Sequence, residues 1–244
     1  LGGTAGQITA GTISNGGTST VIYTGGAANP VMGTSYHDLT ISAGSFTANV
    51  GLSIGGALVV SGSANATFNA SGDHTTSCAT ADFSAANAIV LCDSTGDTFQ
   101  VTGGSLTLSS GGTPTFGIAG TLEASTGINL GNNVTINDNT IFSSPVTLTG
   151  SSPVTLALGG HSLTFNASFS GGTIAFVTTG TGEVIANNTF GSSSTNNDVF
   201  YDLTIGGSFT CNGDIYVRHT FTVQSSGSFT NAHTLTLGGS GSAA

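Results

Sequence analysis

Short apolar–polar–apolar triplets follow one another along almost the whole chain. Leu39-Thr40-Ile41, Leu106-Thr107-Leu108, Val134-Thr135-Ile136, Val146-Thr147-Leu148, Leu163-Thr164-Phe165, Leu203-Thr204-Ile205 and Leu235-Thr236-Leu237 are examples. A period of two sets both apolar side chains on one side of a strand. The residue between them is most often Thr, which is β-branched and suits an outward strand position. The connections are Gly-Gly, Gly-Ser, Ser-Gly and Asn-Gly, which turn the chain tightly, and strand centres fall too close together for helices to lie between them.

Units built from these triplets repeat. Tyr36-His37-Asp38-Leu39-Thr40-Ile41 with Ser45-Phe46-Thr47 matches Phe200-Tyr201-Asp202-Leu203-Thr204-Ile205 with Ser208-Phe209-Thr210. The match continues from Leu52 and Ile54 to Ile215 and Val217, and from Leu58 and Val60 to Phe221 and Val223. A shorter unit, Gly159-Gly160-His161-Ser162-Leu163-Thr164-Phe165, returns as Asn231-Ala232-His233-Thr234-Leu235-Thr236-Leu237. A unit that cannot bury its own apolar side must stack on its neighbours.

The fold this predicts is all-β: one parallel β-solenoid (β-helix) spanning 1–244, with three short strands per coil and roughly nine to eleven coils stacked at ~4.8 Å. An array of antiparallel β-sandwiches fits the short strands too, but no linker or shift of composition divides the chain. The stretch around 71–88 interrupts the pattern and is expected to be an irregular loop insertion. A disordered chain is excluded: only 5% of residues are charged and the mean hydropathy is +0.27.

Charge narrows the partners. Eleven acidic residues against one basic residue, Arg218, give a net charge of −10, so the chain cannot neutralise a row of phosphates or hold to anionic lipid. No apolar run is long enough for a membrane helix, and the first residues are not a signal peptide, so the chain is expected to be mature or a fragment.

The repeats resemble bacterial secreted β-strand-repeat proteins, the filamentous-haemagglutinin-like proteins and autotransporter passengers that form β-helices. The residues that carry the likeness are the aromatic-Asp-Leu-Thr-Ile units at 36–41 and 200–205 and Leu158-Gly159-Gly160-His161-Ser162-Leu163-Thr164-Phe165. The resemblance implies an extracellular or cell-surface place and a role in adhesion, scaffolding or filament formation. It supplies no catalytic residue to carry over.

Sharper chemistry finds little support. β-Helix enzymes that cleave polysaccharides need paired carboxylates or a cationic base beside acidic metal ligands, and no strand here carries an Asp-x-Asp pair. Arg218-His219 reads as an exposed pair. Asp93-Ser94-Thr95-Gly96-Asp97 could lend oxygens to Ca²⁺ but reads more simply as an Asp/Gly turn. The five His have no metal-ligand spacing, and His161 and His233 recur at one repeat position, which suggests turn capping. Thr-x-Thr pairs such as Thr18/Thr20, Thr113/Thr115, Thr147/Thr149, Thr220/Thr222 and Thr234/Thr236 would suit an ice-binding face only if regular, and they are scattered. No catalytic, cofactor or metal residue is assigned.

Cys78 and Cys92 flank the irregular stretch and are expected to form a disulfide there, with two buried free thiols as the alternative; Cys211 reads as a small core residue. Asn65, Asn69, Asn133, Asn166 and Asn187 stand in glycosylation sequons, at a frequency that chance alone provides in so Ser/Thr-rich a chain. Neither end of the chain shows a capping helix, Pro or charge, which predicts head-to-tail stacking of copies into a filament. The alternative is an adhesin or autotransporter stalk that binds host or carbohydrate surfaces.

Overall fold

Each coil turns through three flat faces, and each face contributes one short strand to a parallel ladder running the length of the rod. The computed structural model describes residues 18–24, 29–30, 35–48, 50–61, 67–70, 72–83, 88–108, 115–131, 133–150, 153–191 and 197–238. Over these it is all-β, with every strand pairing parallel, and the stack amounts to about nine turns. The β-solenoid expected from the triplets is the fold observed. In one representative coil the first face is Val154–Ala157, the second Ser162–Phe165 and the third Phe169–Ser170. Several strands run through a corner and serve two faces, among them Val134–Phe142 and Asp198–Ile205.

The triplets work as their period demands. Leu163 and Phe165 are buried while Thr164 between them is only half-buried, and Val146 and Leu148 are buried while Thr147 is exposed. Parallel pairing in register then stacks like on like. On the first face one inward row runs Phe46, Phe68, Ile89, Phe116, Val134, Leu156, Thr178. On the third face it runs Leu106, Ile128, Val146, Phe169, Phe190, Phe209, Phe229. Consecutive rings are stacked at 4.0 Å between Phe169 and Phe190 and at 4.7 Å between Phe190 and Phe209. Aromatic pairs of this kind contribute roughly 0.5–1.5 kcal/mol beyond the area they bury.

The long sequence repeat is real, yet its two copies occupy different faces. Tyr36 pairs with Ile54, which pairs with Cys78 and through it with Val101, all on the second face. Its counterpart Phe200 pairs with Val217 on the first face. Phe46 is likewise a first-face residue and its counterpart Phe209 a third-face one. The repeat is therefore displaced by one face, because all three faces accept the same inward-outward-inward strand.

Two sequence expectations are corrected. Within the stretch read as an insertion, Thr75–Asp82 is a continuous strand that supplies both the second and third faces of its coil. Its inward residues, Thr76 and Cys78, are small and buried, so the usual aliphatic signature is absent. The expected Cys78–Cys92 disulfide is not formed, and both are free, buried thiols. Cys78 lies in the second-face row between Ile54 and Val101, whereas Cys92 follows the first-face strand Ala88–Leu91 with φ of 66°; the two belong to different faces. Cys211 is also a buried free thiol, the core residue expected.

Burial pushes the Cys78 thiol up to about 12 and raises that of Cys92, where the carboxylates of Asp97 and Asp93 add to the effect. Thiols held this way are inert. A thiol titration at pH 8 should therefore find no reactive cysteine in the folded protein and three in denaturant without reductant. Fewer than three in denaturant would restore the bond.

Candidate functional site

The corners between faces hold most of the chain's few charged groups. Where the ladder bends, a backbone N–H lacks a strand partner, and a side chain from the neighbouring coil accepts from it. Ala57 N donates to Asp38 Oδ1 at 2.7 Å, His74 N to Asp97 Oδ1 at 2.9 Å, Phe176 N to Asp198 Oδ1 at 2.9 Å, Thr220 N to Asp202 Oδ1 at 2.7 Å and Thr234 N to Asp214 Oδ1 at 3.0 Å. Asn133 and Asn139 accept from Thr155 N and Ser162 N in the same way. A buried N–H left unpaired costs about 1–3 kcal/mol, so these residues fasten coil to coil.

Asp97 is the most heavily used. One of its oxygens takes His74 N, and the other takes Asp93 N at 3.0 Å and Ser94 N at 3.2 Å. Burial works to raise its pKa, but these backbone donors outweigh it and hold the carboxyl below the usual range; Asp93 beside it is raised, chiefly by burial. The Asp93–Asp97 segment is thus a turn closed on its own backbone. Asp38 is likewise held low, mainly by Ala57 N.

Groups with depressed folded pKa values contribute stability that is present above their unfolded value near 3.9 and lost as pH falls through the folded value. Urea midpoints should accordingly drop below about pH 4. Asp97→Asn should lower stability at pH 7 by roughly 1.5–3 kcal/mol and flatten that acid limb. An unchanged pH profile would remove Asp97 from this role.

The corner between the first and second faces concentrates titratable groups. His161 Nδ1 is 3.6 Å from Asp138 Oδ1, His219 Nδ1 is 2.8 Å from Asp202 Oδ1, and the Tyr201 ring stacks on His219 at 5.2 Å. Glu183 and Asp202 stand directly opposite each other on adjacent coils. His219 is therefore engaged, while Arg218 beside it is exposed. No His, Cys, Asp and Glu group of three or more suited to a metal occurs among the described residues.

No protein-family model, no curated protein and no solved structure matches the chain.

The remaining sequence-predicted positions do not converge. Asn65 lies outside the described residues, and Asn69 is half-buried on the first face. Asn133, Asn166 and Asn187 are exposed, with Asn187 Nδ2 donating to Asn166 Oδ1 at 3.0 Å one coil away. The Thr-x-Thr pairs fall on different faces: Thr147 on the third, Thr222 on the second, Thr236 on the first. Thr113 lies outside the described residues, and the described pairs form no single array. Sequence reading missed the corner acceptors as a class, although an Asp or Asn directly before a triplet marks four of them, Asp38, Asn133, Asp202 and Asp214, and Asp97 stands two residues ahead of one.

Proposed function

We propose that the chain is the structural subunit of an extracellular fibre, which grows by stacking a coil of a second copy on the coil formed by residues 215–237. The observation that carries this reading is the state of the inward rows there. Leu203, Ile205, Phe209, Ile215 and Val217 are at most 1% exposed, whereas Val223 and Leu237, the next positions of two of the same rows, are 42% and 41% exposed. Phe221, Phe229 and Leu235 are only partly covered. Residues 238–244 are Gly, Ser and Ala, too small to extend a row of Phe and Leu. An uncovered strand ladder is a template for further pairing.

A second copy suits this edge because the rows inside the chain already show what lies on such a coil: another coil with the same pattern. Since the repeat fits any of the three faces, an incoming coil need not arrive in one sequence phase. The resemblance to secreted β-helix proteins supports the extracellular place, and the single Arg218 argues against nucleic acid or anionic lipid as the partner. Sedimentation velocity over a hundredfold range of micromolar concentrations tests the reading. Growth into long, concentration-dependent rods is expected, and one sedimentation coefficient throughout would refute it.

A further inference from the structure

Along the corner between the first and second faces runs a groove of about 330 Å³, lined in part by Asn139, His161, Glu183, Tyr201 and Asp202. That is the size of a small-ligand site. It crosses four consecutive coils, hence on the order of 14 Å along the rod axis. Its shape follows from unequal corners. Two successive coils turn here on glycines with positive φ, Gly159 and Gly160 (61° and 96°), then Gly180 and Gly182 (76° and 136°). The next passes the corner as one strand, Asp198–Ile205, with a register shift between Phe200 and Asp202, and sets Tyr201 at the position held by Gly182 in the coil before it.

Titratable groups are scarce in this chain, yet Asp138, His161, Glu183, Asp202 and His219 gather on this one corner. Their bonding leaves specific atoms for a ligand. Glu183 Oε1 accepts from Thr204 Oγ1 at 2.6 Å, and Asp202 Oδ1 accepts from Thr220 N at 2.7 Å. Among the described residues neither Glu183 Oε2 nor Asp202 Oδ2 has a protein donor. These are acceptor-only oxygens, repeated at the coil spacing of ~4.8 Å. Beside them stand an imidazole, His161, and the half-buried Tyr201 ring held by its stack on His219. Three carboxylates turn away a polyanion, and the absence of a three-ligand group among the described residues leaves a divalent cation without a seat.

We propose that this groove binds a neutral saccharide chain laid along the rod axis. Glu183 and Asp202 accept hydrogen bonds from its hydroxyls on successive sugar units, and Tyr201 forms the apolar wall against a ring face. This does not depend on fibre growth, since the groove lies on the side of the rod and not at its end.

The test is a titration of isotope-labelled protein with neutral gluco-, manno- and galacto-hexasaccharides, followed by amide chemical shifts. At least one should give saturable shifts confined to residues 160–162, 181–183 and 201–202. Tyr201→Ala should weaken that binding at least tenfold and Glu183→Gln, which keeps an acceptor for Thr204, several-fold. Tyr216→Ala, at an exposed tyrosine of the next coil, should leave it unchanged. If Tyr201→Ala fails to fold, Glu183→Gln carries the comparison. The proposal is overturned by no saturable shift with any neutral hexasaccharide, by equal binding in both groove variants, or by saturation only with spermine or polygalacturonate.

Discussion

Phe190→Ala should destabilise the rod by about 3–5 kcal/mol, the range for emptying a fully buried phenylalanine site. Phe190 is the hub of the aromatic core: besides the stacked Phe169 and Phe209 it has Phe165 at 5.4 Å, Phe176 at 6.1 Å and Phe200 at 6.3 Å. Neighbours held in ladder register cannot collapse into the space without breaking the strand pairs on either side. Phe229→Ala offers the internal comparison, since that ring continues the same row but is only partly buried. Its loss should cost about 1 kcal/mol, in proportion to the area it buries. Urea unfolding of both variants measures the difference; equal losses would contradict the ladder.

Val223→Asp and Leu237→Asp should each weaken assembly by a factor of roughly 100 or more while leaving the isolated chain close to its original stability. Both positions are more than two-fifths exposed, so a carboxylate there stays hydrated in the monomer. Stacking a further coil would bury it without a partner, at a cost of several kcal/mol. Thr222→Asp, beside Val223 on the outward side of the strand, keeps the charge in solvent and should assemble nearly as well. Sedimentation of the three variants at equal concentration gives the comparison. Normal assembly by both row variants would place the contact elsewhere.

The solenoid was legible because its signal is local. In Leu163-Thr164-Phe165 or Val146-Thr147-Leu148 the period of two already states which side chains face inward, and repetition states that coils stack. The face each strand occupies was not legible, since Leu39-Thr40-Ile41 and Leu203-Thr204-Ile205 are interchangeable as strands and are assigned to different faces only by the length of chain between them. Thr75–Asp82 escaped notice because Thr76 and Cys78 fill inward positions that elsewhere hold aliphatics. The proposed groove was the least legible of all. Asp138, His161, Glu183 and Asp202 are spread over four coils, and their convergence depends on a register set by every coil between them.

Cryo-electron microscopy of the protein at tens of micromolar tests the central claim, that coils stack from chain to chain as they do within one. Filaments are expected with an uninterrupted layer spacing of ~4.8 Å along the axis, the apolar rows of residues 215–237 continuing into the next chain. Uniform particles of about nine turns, roughly 45 Å long at every concentration, would contradict it.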